Sequence, residues 1–233
     1  NHVEVTKALI NLSIAYGEMG EMLKKKELLE EALVIQEKHY GKNHVEVTKT
    51  LVILAITYGE LGDMLKQKEL LEEALVIQEK FYGKDHVEVA KTLVSLAIVY
   101  DNLGDKPKQK ELLERALEIE EQRYGKDHVE VAKTLVNLSN VYGKLGYLSK
   151  QKELLEKSLG INEKHYGKDH VEVGHALNNL AVCIFRQGDI SGAFLQECCA
   201  YEILLKHPQA GEQHPDTQKV KAFLIFLQNL IAK

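Results

Sequence analysis

The chain repeats one segment of 42 residues, and this period restricts its fold more than any other feature. YGKNHVEV at 40–47 is followed by YGKDHVEV at 82–89, 124–131 and 166–173. Residues 1–42 and 43–84 agree at 33 of 42 positions, and a partial sixth copy starts near His214. Such periods are typical of repeat proteins, in which each copy packs on its neighbours. The period therefore predicts one elongated array over residues 1–233.

Two helical periods alternate with turn signals inside each copy. In the second copy, Leu51, Leu54 and Tyr58 recur at helical spacing and define a first helix, helix A. Gly62-Asp63 follows as a helix-ending glycine and an N-cap acid, which predicts a tight reversal. The second helix, helix B, has inward apolar residues at Leu70, Leu71, Ala74, Leu75 and Ile77. The sequence thus predicts an all-α fold of antiparallel helix pairs.

The repeats have predicted boundaries, and a single helix follows the last one. Repeats are expected at about 1–42, 43–84, 85–126, 127–168 and 169–212, and the C-terminal helix at about 216–232. One copy cannot bury its own apolar residues, so stability must come mainly from contacts between neighbouring copies.

The recurring Asp-His-Val-Glu could be a fragment of a metal or catalytic site. A zinc site needs about four ligands, and one imidazole with one carboxylate is too few. A capping box explains the pattern better, with Asp85 as N-cap and Glu88 at N3. We therefore expect a structural role for these residues, with no metal and no cofactor.

Composition and motifs exclude several classes of protein. The net charge is −5 with mixed signs, so the cationic excess of a nucleic-acid binder is absent. No apolar run is long enough for a membrane span. Cys183, Cys198 and Cys199 show no CxxC spacing, which is typical of reduced thiols in a cytoplasmic protein. Neither a P-loop nor a G-x-S-x-G motif occurs, so we expect no enzyme.

The pattern L-x-x-L-A-x-x-Y-x-x-x-G-D, followed by L-L-x-x-A-L-x-I-x-E-x-x-Y-G-K-x-H, resembles the tetratricopeptide repeat (TPR). The 42-residue period is similar to the long variant found in kinesin light chains. The resemblance covers essentially the whole chain. It implies a right-handed superhelix, or α-solenoid, in which the A helices line a concave groove for a peptide or a partner helix.

The resemblance also implies which residues face this groove. Asparagine would bind the backbone of an extended ligand, lysine would attract acidic groups, and aliphatic residues would add apolar contact. The implied groove residues are Lys7, Asn11, Lys49, Val52, Ile56, Lys91, Ser95, Ile98, Lys133, Asn137, Asn140, His175, Asn178 and Asn179. Equally, the aliphatic residues could pack helix on helix and the lysines could only solvate the surface. The four asparagines are the strongest candidates, because asparagine is a mediocre helix former.

One position departs from the family pattern. The small residue usual early in helix B is replaced by Lys25, Gln67, Gln109 and Gln151, and returns only as Ala193. These long side chains argue against a close approach of helices A and B at that end.

The sequence favours a non-enzymatic scaffold that binds a protein or peptide partner, with neither nucleic acid nor membrane as partner. Two alternatives remain open. The array could be a structural spacer or self-association module, because its first two copies are nearly identical and both ends expose apolar residues. It could also be the ligand-sensing arm of a larger multidomain protein, since the chain starts at Asn1 rather than Met.

Overall fold

Helices A and B alternate along the chain. The structure, a computed structural model, describes residues 2–207 and 211–232, and every regular element within these residues is an α-helix. Residues 208–210, inside the fifth predicted repeat, lie outside the described part. The helices are α1 (His2–Glu18), α2 (Met22–Tyr40), α3 (Val45–Glu60), α4 (Met64–Tyr82), α5 (Val87–Asn102), α6 (Lys106–Tyr124), α7 (Val129–Lys144), α8 (Leu148–Tyr166), α9 (Val171–Arg186), α10 (Ile190–Lys206) and α11 (Pro215–Ile231).

The chain divides into two compact bodies, Asn1–Ile119 and Glu120–Lys233. In the N-terminal body, α1 pairs with α2 and α3 with α4, while α2 packs on α3 and α4 on α5. In the C-terminal body, α7 pairs with α8 and α9 with α10, while α8 packs on α9 and α10 on α11. Helix B leucines are central to this packing. Four of them are at most 2% exposed, namely Leu29, Leu71, Leu113 and Leu155.

The turn from helix A to helix B is made by a glycine. Gly62 has φ +88°, a left-handed conformation that favours glycine. The Asp63 N–H donates to the Tyr58 carbonyl at 2.8 Å. The Gly62 N–H donates to the Gly59 carbonyl at 3.0 Å, which completes a Schellman motif. The Asp63 carboxylate then accepts the Lys66 N–H at 3.0 Å, so the predicted reversal is confirmed.

The joint from helix B to the next helix A corrects the predicted capping box. The N-cap is His86, not Asp85, and its Nδ1 accepts the Glu88 N–H at 3.2 Å. The Tyr82 ring stacks on the His86 ring, with centroids 4.3 Å apart. Glu88 is therefore the second helical residue and cannot complete a box with Asp85. The same histidine cap recurs at His44, His128, His170 and His214.

Long side chains early in helix B do not keep the two helices apart. A Cβ added at Gly59 would lie 2.5 Å from Gln67 Oε1, and one added at Gly143 would lie 2.5 Å from Gln151 Oε1. A glycine on helix A therefore makes the space that a small residue on helix B would otherwise provide. In the fifth repeat the sizes are exchanged, because Phe185 packs against the cluster that contains the buried Ala193.

The first and last helices expose residues whose counterparts elsewhere are buried. On α1, Val5 is 47% and Leu12 is 46% exposed, whereas the equivalent Val47 and Leu54 are 0% and 2% exposed. On α11, Leu227 is buried against the fifth repeat. The neighbouring residues Ile225, Phe226 and Ile231 stay about half exposed.

Candidate functional site

A cavity of about 220 Å³ lies over helices α3, α4 and α5 of the N-terminal body. Four of the predicted groove residues line it, namely Lys49, Val52, Lys91 and Ser95. The other lining residues are Ile53, Gln78, Glu88 and Thr92. Helix B therefore contributes one residue, Gln78, that the groove prediction did not include.

A second cavity, of about 240 Å³, lies over α7, α8 and α9 of the C-terminal body. Four predicted groove residues line it, namely Lys133, Asn137, His175 and Asn179. The other lining residues are Val129, Ala132, Val136, Ser158, Asn162, Tyr166, Glu172 and Ala176. Ser158, Asn162 and Tyr166 belong to helix B and were not predicted.

The two cavities are the same site in different repeats. Adding 84, which is two repeat lengths, to the number of any residue lining the first cavity gives a residue lining the second. The chemistry differs, however. Ile53 corresponds to Asn137, and Ser95 corresponds to Asn179. The fold thus repeats the shape, while the sequence makes the second cavity richer in amides.

Two of the predicted groove lysines are paired within their own helices. Lys91 Nζ lies 2.6 Å from Glu88 Oε1, and Lys133 Nζ lies 2.8 Å from Glu130 Oε1. The hydrogen bond to Glu130 is the main reason that the pKa of Lys133 is raised. Each pair brings a negative charge next to the lysine, so Lys91 and Lys133 offer less net positive charge to a ligand than the sequence suggested.

A polar residue of helix B lies below each of these positions. Gln78 is 4% exposed, and its Oε1 accepts the Thr92 hydroxyl at 2.7 Å. One repeat later, Glu120 is 6% exposed and hydrogen-bonds to Thr134. Burial raises the pKa of Glu120 to about 7. The sequence gives one signal for these buried polar residues. A polar residue recurs within the apolar stripe of helix B, at Gln36, Gln78, Glu120 and Asn162.

The remaining predicted groove residues lie outside both cavities. Lys7 and Asn11 are exposed on α1, and Ile56 and Ile98 are 42% and 52% exposed on α3 and α5. Asn140 is exposed and Asn178 is half-buried, and neither lines the second cavity. The predicted cluster of four asparagines is therefore split, and only Asn137 and Asn179 share a cavity.

No group of three or more His, Cys, Asp or Glu side chains in the described part of the chain could hold a metal ion. None of the described helices combines the length and apolar character that a membrane crossing needs. Cys183 is buried, Cys198 is half-buried and Cys199 is exposed.

Solved structures similar to this chain have the same repeat architecture. A Podosopora anserina protein described as a kinesin light chain with nearly identical TPR-like repeats is 24% identical, with a TM-score of 0.75 over 86% of this chain and 95% of that one. BtubC (BKLC) from P. vanneervenii is 24% identical, with a TM-score of 0.76 over 84% and 78%. YrrB, described as a TPR protein with an unusual peptide-binding site, is 15% identical, with a TM-score of 0.53 over 87% and 88%. At these identities the similarity establishes the fold alone.

Sequence comparison establishes the family. No curated protein matches the chain. The family model described as tetratricopeptide repeat matches residues 5–46, 89–130 and 131–172, which is more than half of the chain. The predicted all-α fold class of stacked helix pairs is confirmed, and proteins of this repeat type generally act as scaffolds for protein interactions. The chain therefore belongs to the tetratricopeptide repeat family.

Proposed function

We propose that the chain is a non-enzymatic scaffold that binds a peptide or helical segment of a partner protein on its A helices. The observation that carries this proposal is the recurrence of one cavity at equivalent positions, lined each time by residues from two successive A helices. A cavity of this kind suits an extended ligand, because a side chain of the ligand can enter it while the ligand backbone lies across the A helices. The solved structure of YrrB, described as a TPR protein with an unusual peptide-binding site, supports the proposal that this chain binds a peptide.

The second cavity offers the better hydrogen bonds. The side chains of Asn137 and Asn179 form no hydrogen bond within the described residues. Each carries a carbonyl acceptor and two N–H donors, which match the two polar groups of a peptide unit. The apolar Val129 and Val136 lie in the same cavity. We infer that this cavity holds the ligand backbone through amides and its side chain through apolar contact.

A pair of double variants tests this assignment. A phage-displayed library of short random-sequence peptides is selected on the chain, and the affinity of an enriched peptide is measured by fluorescence anisotropy. Asn137→Ala/Asn179→Ala removes the cavity amides and should weaken binding about tenfold or more. Asn140→Ala/Asn178→Ala removes two asparagines outside the cavity and should leave binding unchanged. Equal losses in both variants would refute the cavity assignment.

The cysteines bear on the cellular compartment in which we propose that the chain works. The three cysteines are free thiols, as expected for work in the cytoplasm. The ligand is a protein or peptide, with no role for nucleic acid, membrane or a catalysed reaction.

Self-association is a second candidate, favoured by the exposed face of α1. Val5 and Leu12 lie on this face, and their counterparts in the second repeat are buried by the preceding helix B. We infer that α1 of a second copy covers this face in an isologous contact. Sedimentation velocity at rising concentration should then show a dimer that Val5→Glu/Leu12→Glu abolishes. A monomer at every concentration would exclude this candidate.

A further inference from the structure

The base of the second cavity differs from that of the first cavity in one pair of residues. In the first cavity the base is closed by the bond between Thr92 and Gln78, at 2.7 Å. At the equivalent position one repeat later, Thr134 bonds Glu120. In both places a threonine of helix A is hydrogen-bonded to the polar side chain of helix B.

In the second cavity this bond is missing, because Ala176 stands at the threonine position and faces Asn162. Asn162 is only 8% exposed, and its amide forms no hydrogen bond within the described residues. Both residues line the cavity. The cavity therefore gives a ligand group access to an amide whose donor and acceptor are unpaired within the described residues.

We propose that Asn162 determines the specificity of this cavity and selects a carboxamide side chain, glutamine or asparagine, of the bound peptide. The inference rests on the proposed function, since it assumes that a peptide occupies the cavity. A carboxamide supplies both a donor and an acceptor, as Asn162 does, so the two groups can pair reciprocally.

Charge and wall chemistry favour this occupant over a charged one. Lys133 is paired with Glu130, and the carboxylate of Glu172 also lines the cavity. An acidic side chain would therefore meet more negative than positive charge. A lysine or arginine side chain has no hydrogen-bond acceptor, so the N–H groups of the Asn162 amide would stay unpaired. Val129 and Val136 fit the methylene groups of a glutamine.

The volume agrees with one side chain entering. A cavity of about 240 Å³ corresponds to several waters, since a water occupies about 30 Å³ of liquid. A single glutamine side chain fits in this space and displaces the waters next to Asn162, and its amide replaces the hydrogen bonds that they would make with it.

The test converts the second cavity to the chemistry of the first. Asn162→Gln/Ala176→Thr rebuilds the Gln78–Thr92 pair, which this fold already accommodates. The same peptide library is selected on the original chain and on this double variant. We expect glutamine or asparagine to be enriched at one peptide position with the original chain, and this preference to be lost with the variant. In an enriched peptide, glutamine replaced by leucine should bind the original chain about tenfold more weakly and the variant equally well.

The outcomes separate the two proposals. If peptides are enriched without a carboxamide preference, or the preference survives in Asn162→Gln/Ala176→Thr, the specificity inference is wrong while the scaffold function stands. If glutamate or lysine is enriched instead, the charge argument is wrong. If no peptide is enriched on either chain, the proposed function fails, and the inference fails with it. Thermal unfolding of the variant, matched to that of the original chain, shows that any loss is not due to misfolding.

Discussion

At the scale of single residues, Glu197 is the least expected side chain of the core. It occupies the helix B position where the other repeats have Leu29, Leu71, Leu113 and Leu155. The side chain is 0% exposed, and both carboxyl oxygens lack a hydrogen-bond partner within the described residues. Burial raises the pKa of Glu197 from 4.5 to about 8. The carboxyl is therefore held in its neutral form near neutral pH.

Replacing Glu197 by leucine should stabilise the chain in a pH-dependent way. The folded state keeps the Glu197 proton between about pH 4.5 and 8, whereas the unfolded state loses it. The free energy of unfolding therefore falls as the pH rises through this range. Glu197→Leu should be more stable by roughly 2–4 kcal/mol at pH 8 and by less at pH 5. Denaturant titrations at both pH values measure this, and a gain that does not depend on pH would contradict it.

The histidine caps explain the recurring motif without any catalytic role. Sequence reasoning predicted a cap at the start of each helix that follows the recurring motif, and a cap is present there. It assigned the cap to the wrong residue, because aspartate is the more familiar N-cap. The stacking of Tyr82 on His86, which fixes the imidazole, depends on the conformation of Gly83 between them, with φ +88°. Such a contact is not visible from residue types alone.

The two possible caps can be separated by single substitutions. His86→Ala should lower the free energy of unfolding by about 1 kcal/mol, because the Glu88 N–H loses its acceptor. Asp85→Ala should change it by less than about 0.5 kcal/mol, since Asp85 lies in the turn before the helix. Urea titrations of the two variants compare these values. A larger loss for Asp85→Ala would restore the capping box.

At the scale of helices, residue size is exchanged between helix A and helix B. The sequence shows Gln67 at a position where the family has a small residue, and this suggested a wider gap. The compensating Gly59 lies eight residues earlier on the other helix, so the pair becomes evident only when the hairpin is folded. The helical periods and turns, in contrast, are local features, and their positions were predicted closely.

Gly59 and Gln67 should therefore behave as one unit. Gly59→Ala alone places a Cβ against the half-buried amide of Gln67, whose Oε1 already lacks a partner. Adding Gln67→Ala removes that conflict and keeps the helix preference for alanine over glycine. In a double-mutant cycle of unfolding free energies, the pair should be more stable than the sum of the single variants by about 1 kcal/mol. Additive effects would show that the residues are independent.

At the scale of the whole molecule, each repeat depends on its neighbours. The family resemblance predicted the A-helix face, so four of the eight residues lining the first cavity and four of the twelve lining the second could be predicted. The helix B residues at the base could not, because they meet the A helices only through packing between repeats. Asn162 opposite Ala176 is such a case. That the two residues share a cavity is evident only from the folded structure.

The dependence on neighbours predicts a gradient of local stability. Val5 and Leu12 of α1 are about half exposed, whereas Val47 and Leu54 of α3 are buried. Backbone amides of α1 should therefore exchange with deuterium faster than those of α3 by about one order of magnitude or more. Hydrogen exchange followed by mass spectrometry compares the two helices in one experiment. Equal protection would mean that another contact covers α1.

The stacked tyrosine and histidine have a consequence for how such a gene can change. In this joint the ring stack and the histidine cap lie within the seven residues from Tyr82 to Glu88. A duplication or deletion of one whole period, wherever it starts, rebuilds an intact joint at the new boundary. Lineages can therefore lengthen or shorten the array by recombination of whole periods.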